Sequence, residues 1–150
     1  YATHDSGVGE GDTISPSEDN EVYDPSGNTW TGIANEGTGM TRTAAFTADN
    51  RVFLATGWGG DNSARLHVDY VEEYSVSGNS WASKSSALSE RADCAGASLG
   101  EGAAAGYVFS GADQANTGRV NEEYSVSGNS WTSKTDLPAP DRTKIGAAGI

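Results

Sequence analysis

Apolar side chains in this chain gather in short runs separated by glycine, serine, threonine and asparagine, and no long stretch keeps the 3.6-residue period of an amphipathic helix. The pattern predicts an all-β fold of short strands joined by frequent turns. Runs of small residues at 43–47, 95–99 and 145–149 read as one kind of strand. More apolar runs at 51–56 and 107–110, each followed by glycine, read as a second kind.

Self-similarity sharpens this picture. The ten residues 72–81, Glu-Glu-Tyr-Ser-Val-Ser-Gly-Asn-Ser-Trp, recur without change at 122–131, and a third copy with the same Tyr, Gly-Asn and Trp occupies 21–30. Tyr23, Tyr74 and Tyr124 are 51 and 50 residues apart, as are Trp30, Trp81 and Trp131, while Arg42, Arg91 and Arg142 follow at 49 and 51. A period of this length marks a repeat architecture. Between each Tyr and Trp lies a four-residue loop, Pro/Val-Ser-Gly-Asn, in which glycine is expected to supply the positive φ of a hairpin turn. With the loop at 25–28, Tyr23 faces Trp30 in a cross-strand aromatic pair worth roughly 0.2–1 kcal/mol over alanine.

The order Arg, small strand, apolar strand, Gly, variable loop, Glu-x-Tyr, turn, Trp resembles the kelch repeat over nearly the whole chain. That resemblance implies kelch-type β-propeller blades: one four-stranded antiparallel sheet per repeat around a central channel, with Tyr and Trp as packing residues. It divides the chain into a partial blade lacking its first strand (1–41), two blades (42–90 and 91–141) and the first strand of a further blade (142–150). Small residues suit the strand nearest a propeller axis, where lateral room is short. The sequence departs from the family pattern where the second strand ends. There Gly59-Gly60 is displaced by Gly57-Trp58, Gly111 stands alone, and Thr3, His4 and Asp5 hold the corner of the first unit without glycine.

Aligning Tyr1, Ala2 and Thr3 with Leu54, Ala55 and Thr56 makes the two ends complementary. A propeller has about four to eight blades, so three blade equivalents leave open strand edges that invite association. Two completions are expected: further repeats in a longer polypeptide, or head-to-tail self-association of two copies into a six-bladed ring.

Composition narrows the partners. Nine basic against 21 acidic residues give a formal charge of −12, spread along the chain, which disfavours nucleic acid and anionic lipid. No run approaches the ~20 apolar residues of a membrane span, so no membrane insertion is expected. Cys94 is the only cysteine, which excludes an intrachain disulfide and leaves the compartment open.

Candidate chemistry is sparse. His4 and His67 have no metal-ligand spacing with each other or with Cys94. Some kelch-like propellers resemble galactose oxidase, whose copper site needs a cysteine beside a tyrosine and two histidines, a set this sequence lacks. Cys94 opens a small-residue strand and reads as a structural thiol. The pairs Glu72-Glu73 and Glu122-Glu123 alternate across a strand, so one of each is expected to face solvent and the other to cap an arginine or a backbone group. The acidic, glycine-rich stretch 5–12 lacks the alternation and terminal Glu of a calcium loop. No cofactor is expected.

What varies is the loop between the second and third strands: 17 steps from Gly57 to Tyr74 against 13 from Gly111 to Tyr124. Variable loops on rigid blades carry function, and this one holds Trp58, Asn62, Arg65 and His67 as candidate contacts. The expected function is a non-catalytic module presenting such loops to a protein or glycan. The repeat wording resembles microbial and phage kelch arrays, which suggests an extracellular or virion-surface setting. The contrasting expectation is a segment of a sugar-acting propeller enzyme whose catalytic residues lie in other blades.

Overall fold

The computed structural model describes residues 2–5, 16–59, 66–100, 102–113 and 118–149. Short runs between turn residues leave no helical face, and the described residues form strands without helices. The first sheet contains β1 (Ala2–Asp5), β2 (Pro16–Asp24) and β3 (Thr29–Ile33). A second contains β4 (Ala44–Ala48), β5 (Arg51–Gly59), β6 (Leu66–Ser75) and β7 (Ser80–Ser83). A third contains β8 (Ala95–Ser98), β9 (Ala105–Phe109), β10 (Asn121–Ser125) and β11 (Ser130–Ser133). Every strand pairs antiparallel with its neighbour in sequence, so each sheet is a simple meander. These are propeller-like blades, two of four strands and one of three.

The aromatic pairs form as expected: Tyr23 opposite Trp30, Tyr74 opposite Trp81 and Tyr124 opposite Trp131. All three have ring centroids 5.1 Å apart at 42°, 44° and 45°. The turn chemistry differs from expectation. Asn28, Asn79 and Asn129 take the positive φ (50°, 44° and 43°), while Gly27, Gly78 and Gly128 do not. Asparagine tolerates this conformation better than other side chains, and its amide oxygen is used in every copy, accepting the hydroxyl of Tyr23, Tyr74 or Tyr124 at 2.8–2.9 Å.

The main core lies between the second and third sheets. Phe46 stacks on Phe53, and both meet Tyr124, with Phe46 also edge-on to Trp131. The innermost strands β4 and β8 lie side by side, so close that a Cβ at Gly96 would run into the Ala45 carbonyl oxygen, which is the crowding that small residues relieve. A second cluster, Met40, Leu54 and Val68, lies on the opposite face of the second sheet, with Trp81 against it.

Two structural expectations are corrected. First, Arg42 is not the counterpart of Arg91. The bridges Thr41–Trp58 and Ala92–Ala112 are equivalent, which aligns Arg91 with Met40 and Arg42 with Asp93. Both Arg42 and Asp93 have positive φ, 56° and 58°, and Asp93 N–H donates to the Arg42 carbonyl. Arg91 instead turns inward to a buried pair with Glu122 at 2.8 Å. In the second blade the corresponding Glu72 receives hydroxyl bonds from Thr38 and Ser83 beside Met40. Second, Glu73 does not face solvent: it is buried between Arg51 (3.2 Å) and Lys84 (3.0 Å). The run 145–149, expected as a strand, pairs with none among the described residues and lies along β8.

Candidate functional site

Beyond a bulge between Ala55 and Gly57, β5 and β6 continue past the blade as a two-stranded wing, pairing Gly57 with Val68, Trp58 with His67 and Gly59 with Leu66. In the third blade β9 and β10 stop at Phe109 and Asn121. The extra residues counted between Gly57 and Tyr74 are therefore partly strand.

Gly57 lets the base of the wing approach a neighbouring backbone, as Gly111 does in the third blade. Its φ is 139°, and a Cβ there would meet the Thr41 carbonyl oxygen at 2.7 Å; its counterpart Gly111 has φ 102° and the Ala92 carbonyl at 2.8 Å. This close approach lets Thr41 and Trp58 exchange backbone hydrogen bonds of 2.9 and 2.8 Å, while Gly57 N–H donates to the Arg91 carbonyl at 2.7 Å. The wing is thus tied both to its own blade and to the next.

On that base stands a stack of three side chains. The Arg42 guanidinium carbon sits 4.0 Å from the Trp58 ring centroid, and His67 meets the same indole edge-on at 5.9 Å and 85°. Arg42 also pairs with Asp93 at 3.3 Å, which holds the guanidinium over the ring. A cation on an aromatic face gains about 0.5–1 kcal/mol at such an exposed site. Trp58 is half-buried, with Arg42 exposed above it and Leu66 and Tyr70 exposed on the same wing.

Of the four predicted contacts, Trp58 and His67 are brought together. Asn62 and Arg65 lie outside the described residues, as does most of the acidic stretch at 5–12. Arg42 was missed as a contact, because its spacing had placed it among the repeat arginines; its positive φ turns it toward the wing instead.

Elsewhere the geometry is structural. Cys94 is buried, accepts from the Thr56 hydroxyl at 3.5 Å and donates to the Ser110 carbonyl at 3.4 Å. Burial pushes its thiol up, which keeps it protonated. At the opposite end of the second blade, a cleft of about 350 Å³ is lined by Asp49, Arg51, Val76 and Ala103. There Arg51 is already committed to Glu73. Among the described residues no three His, Cys, Asp or Glu side chains are grouped to hold a metal.

No family model matches this chain, and no curated protein matches it in sequence. Its fold does have solved counterparts. It is similar to the structure of YjhT, with a TM-score of 0.67 at 12% identity, over 90% of this chain and 48% of that one. The likeness shows an all-β, propeller-like fold. The chain spans about half the length of that structure.

Proposed function

We propose that the chain is a kelch-type propeller segment acting as a non-catalytic binding module, and that the wing of the second blade is its recognition surface for a protein or glycan. The observation that carries this reading is the Arg42–Trp58–His67 stack on an extension that the third blade lacks. An indole edge framed by a guanidinium and an imidazole suits contact with a sugar face or an inserted side chain. The kelch assignment is supported by three Tyr–Trp hairpins of common ring geometry and by the inward Arg91–Glu122 pair. The repeat wording favours an extracellular or virion-surface setting, and the −12 charge argues against nucleic acid.

A glycan array and a displayed peptide library probed with the wild type and with Trp58→Ala test the surface. The expected result is binding by the wild type that falls roughly tenfold or more in the variant, as for an aromatic anchor. Binding that Trp58→Ala leaves unchanged rejects the wing as the recognition surface.

A further inference from the structure

Two sets of residues hold left-handed backbone at equivalent places in the repeat. Asn28, Asn79 and Asn129 form one set, identical in every copy and spent inside the scaffold on a tyrosine hydroxyl. Arg42, Asp93 and Lys144 form the other, 51 and 51 residues apart, at φ of 56°, 58° and 55°. Their backbones are joined in series: Asp93 N–H donates to the Arg42 carbonyl at 3.2 Å, and Lys144 N–H donates to the Asp93 carbonyl at 2.9 Å. Arg42 and Asp93 stand just ahead of the innermost strands β4 and β8, at the end of the blades from which the wing rises through the Thr41–Trp58 bridge. The row thus passes from blade to blade beside the wing.

The side chains in this row are not those the backbone favours. Glycine takes a positive φ without steric cost, and Asn and Asp tolerate it, so arginine and lysine fit the conformation poorly. A side chain kept at such a place argues for its chemistry. Unlike the Asn, Tyr and Trp positions, the three members differ in kind, yet all are charged. Arg42 is exposed and holds Asp93 at 3.3 Å while its guanidinium covers Trp58. Lys144 is exposed, and its ammonium has no carboxylate partner among the described residues. The hairpin lysines contrast with it: Lys84 pairs with Glu73 at 3.0 Å and Lys134 with Glu123 at 2.8 Å.

We propose that this row and the wing form one site for an uncharged oligosaccharide, which rests on the reading of the wing as a recognition surface and names its ligand. Hydroxyls of one sugar unit accept from Arg42 and Lys144 and donate to the Asp93 carboxylate between them, while an adjoining unit meets Trp58. A hydroxyl both donates and accepts, so vicinal hydroxyls match a row that runs donor, acceptor, donor. Charged ligands match it less well. An acidic peptide meets Asp93 and the overall charge of −12, and a basic one meets Arg42 and Lys144.

Calorimetry with the strongest binder from an array of neutral hexose oligosaccharides compares the wild type with Lys144→Gly, Asp93→Asn and Trp58→Ala. Lys144→Gly and Asp93→Asn are each expected to weaken binding roughly tenfold or more, the scale of a hydrogen bond to a charged group. Glycine and asparagine both accept the positive φ, so these two variants are expected to keep the thermal midpoint of the wild type, which separates a lost contact from a lost fold. Affinity for the saccharide is expected to change less than about twofold as salt is raised, since no net charge is paired. Binding that Trp58→Ala abolishes but Lys144→Gly and Asp93→Asn leave intact overturns the row and lets the wing stand. Loss in the row variants with Trp58→Ala unchanged rejects the wing and with it the joint site. The absence of any neutral saccharide ligand, or capture of acidic peptides alone with a steep loss in salt, overturns the proposal.

Discussion

The hairpins of the first and third blades are built from the same Tyr, Asn and Trp with the same internal geometry, yet they differ in what surrounds them. Tyr23 and Trp30 are 39% and 59% exposed, whereas Tyr124 and Trp131 are 0% and 9% exposed. The difference comes from neighbours: the third hairpin has the second blade against it, and the first has no such neighbour among the described residues. Burial in this fold is therefore a property of the interface between repeats, as in other arrays whose stability sums repeat and neighbour terms. A repeat residue's contribution depends on its place in the array.

The largest expected effect tests that statement. Trp131→Ala empties the space beside Phe46 and releases the Ser85 carbonyl, and is expected to cost about 3–5 kcal/mol. Trp30→Ala, at an exposed site, is expected to cost within about 1 kcal/mol, the scale of an exposed cross-strand pair. Urea unfolding midpoints of the two variants measure the ratio. Equal losses would mean that the hairpin is stabilised from within and that the neighbour adds little.

The inner polar sites of the second and third blades sharpen the comparison. Glu122 is held by Arg91, by the Ser89 hydroxyl at 2.9 Å and by the Leu88 N–H at 3.2 Å, with both charged side chains under 5% exposed. Glu72 occupies the same position with Thr38 and Ser83 hydroxyls, and Met40 stands where the arginine would be. Removing one partner of a buried pair leaves an uncompensated charge. Arg91→Met, which copies the second blade, is expected to cost about 2–3 kcal/mol, because Glu122 retains its neutral donors. Arg42→Ala, which breaks a solvent-facing pair, is expected to cost within about 1 kcal/mol. Thermal unfolding separates them, and a milder loss for Arg91→Met than for Arg42→Ala would reverse the assignment of the inward arginine.

Much of the fold was legible because the repeat is local. The Tyr–Trp registers follow from a four-residue loop and strand alternation, with no knowledge of distant contacts. What was not legible required partners from elsewhere. Glycine and asparagine both tolerate positive φ, and the choice of Asn79 and Asn129 rests on amide oxygens that also hold the preceding blade. Arginine spacing pointed to Arg42, but the bridge register places Met40 there, and a substitution of Arg by Met at a repeat position leaves no trace in a pattern search. The candidate site was half legible for the same reason. Trp58 and His67 share one hairpin, whereas Arg42 reaches them through the Thr41–Trp58 bridge, a contact between strands that no local pattern encodes.

The smallest effect concerns pH, and it falls on the buried member of the compared pair. Burial, with the Glu73 charge adding to it, pushes the Tyr124 hydroxyl from 10.0 up to about 12. The folded chain thus holds this proton more tightly than the unfolded chain does. Its contribution to stability is complete below about pH 10 and is lost as the pH rises through about 12. Tyr124→Phe removes that dependence along with the 2.8 Å bond to Asn129, so the variant is expected to lose about 1 kcal/mol at neutral pH. Its stability then declines less steeply than that of the wild type above pH 10. Hydrogen bonding to Glu123 also raises Tyr107, so part of the alkaline slope survives the substitution. Parallel slopes for variant and wild type would show that the alkaline loss arises outside the core between the second and third blades.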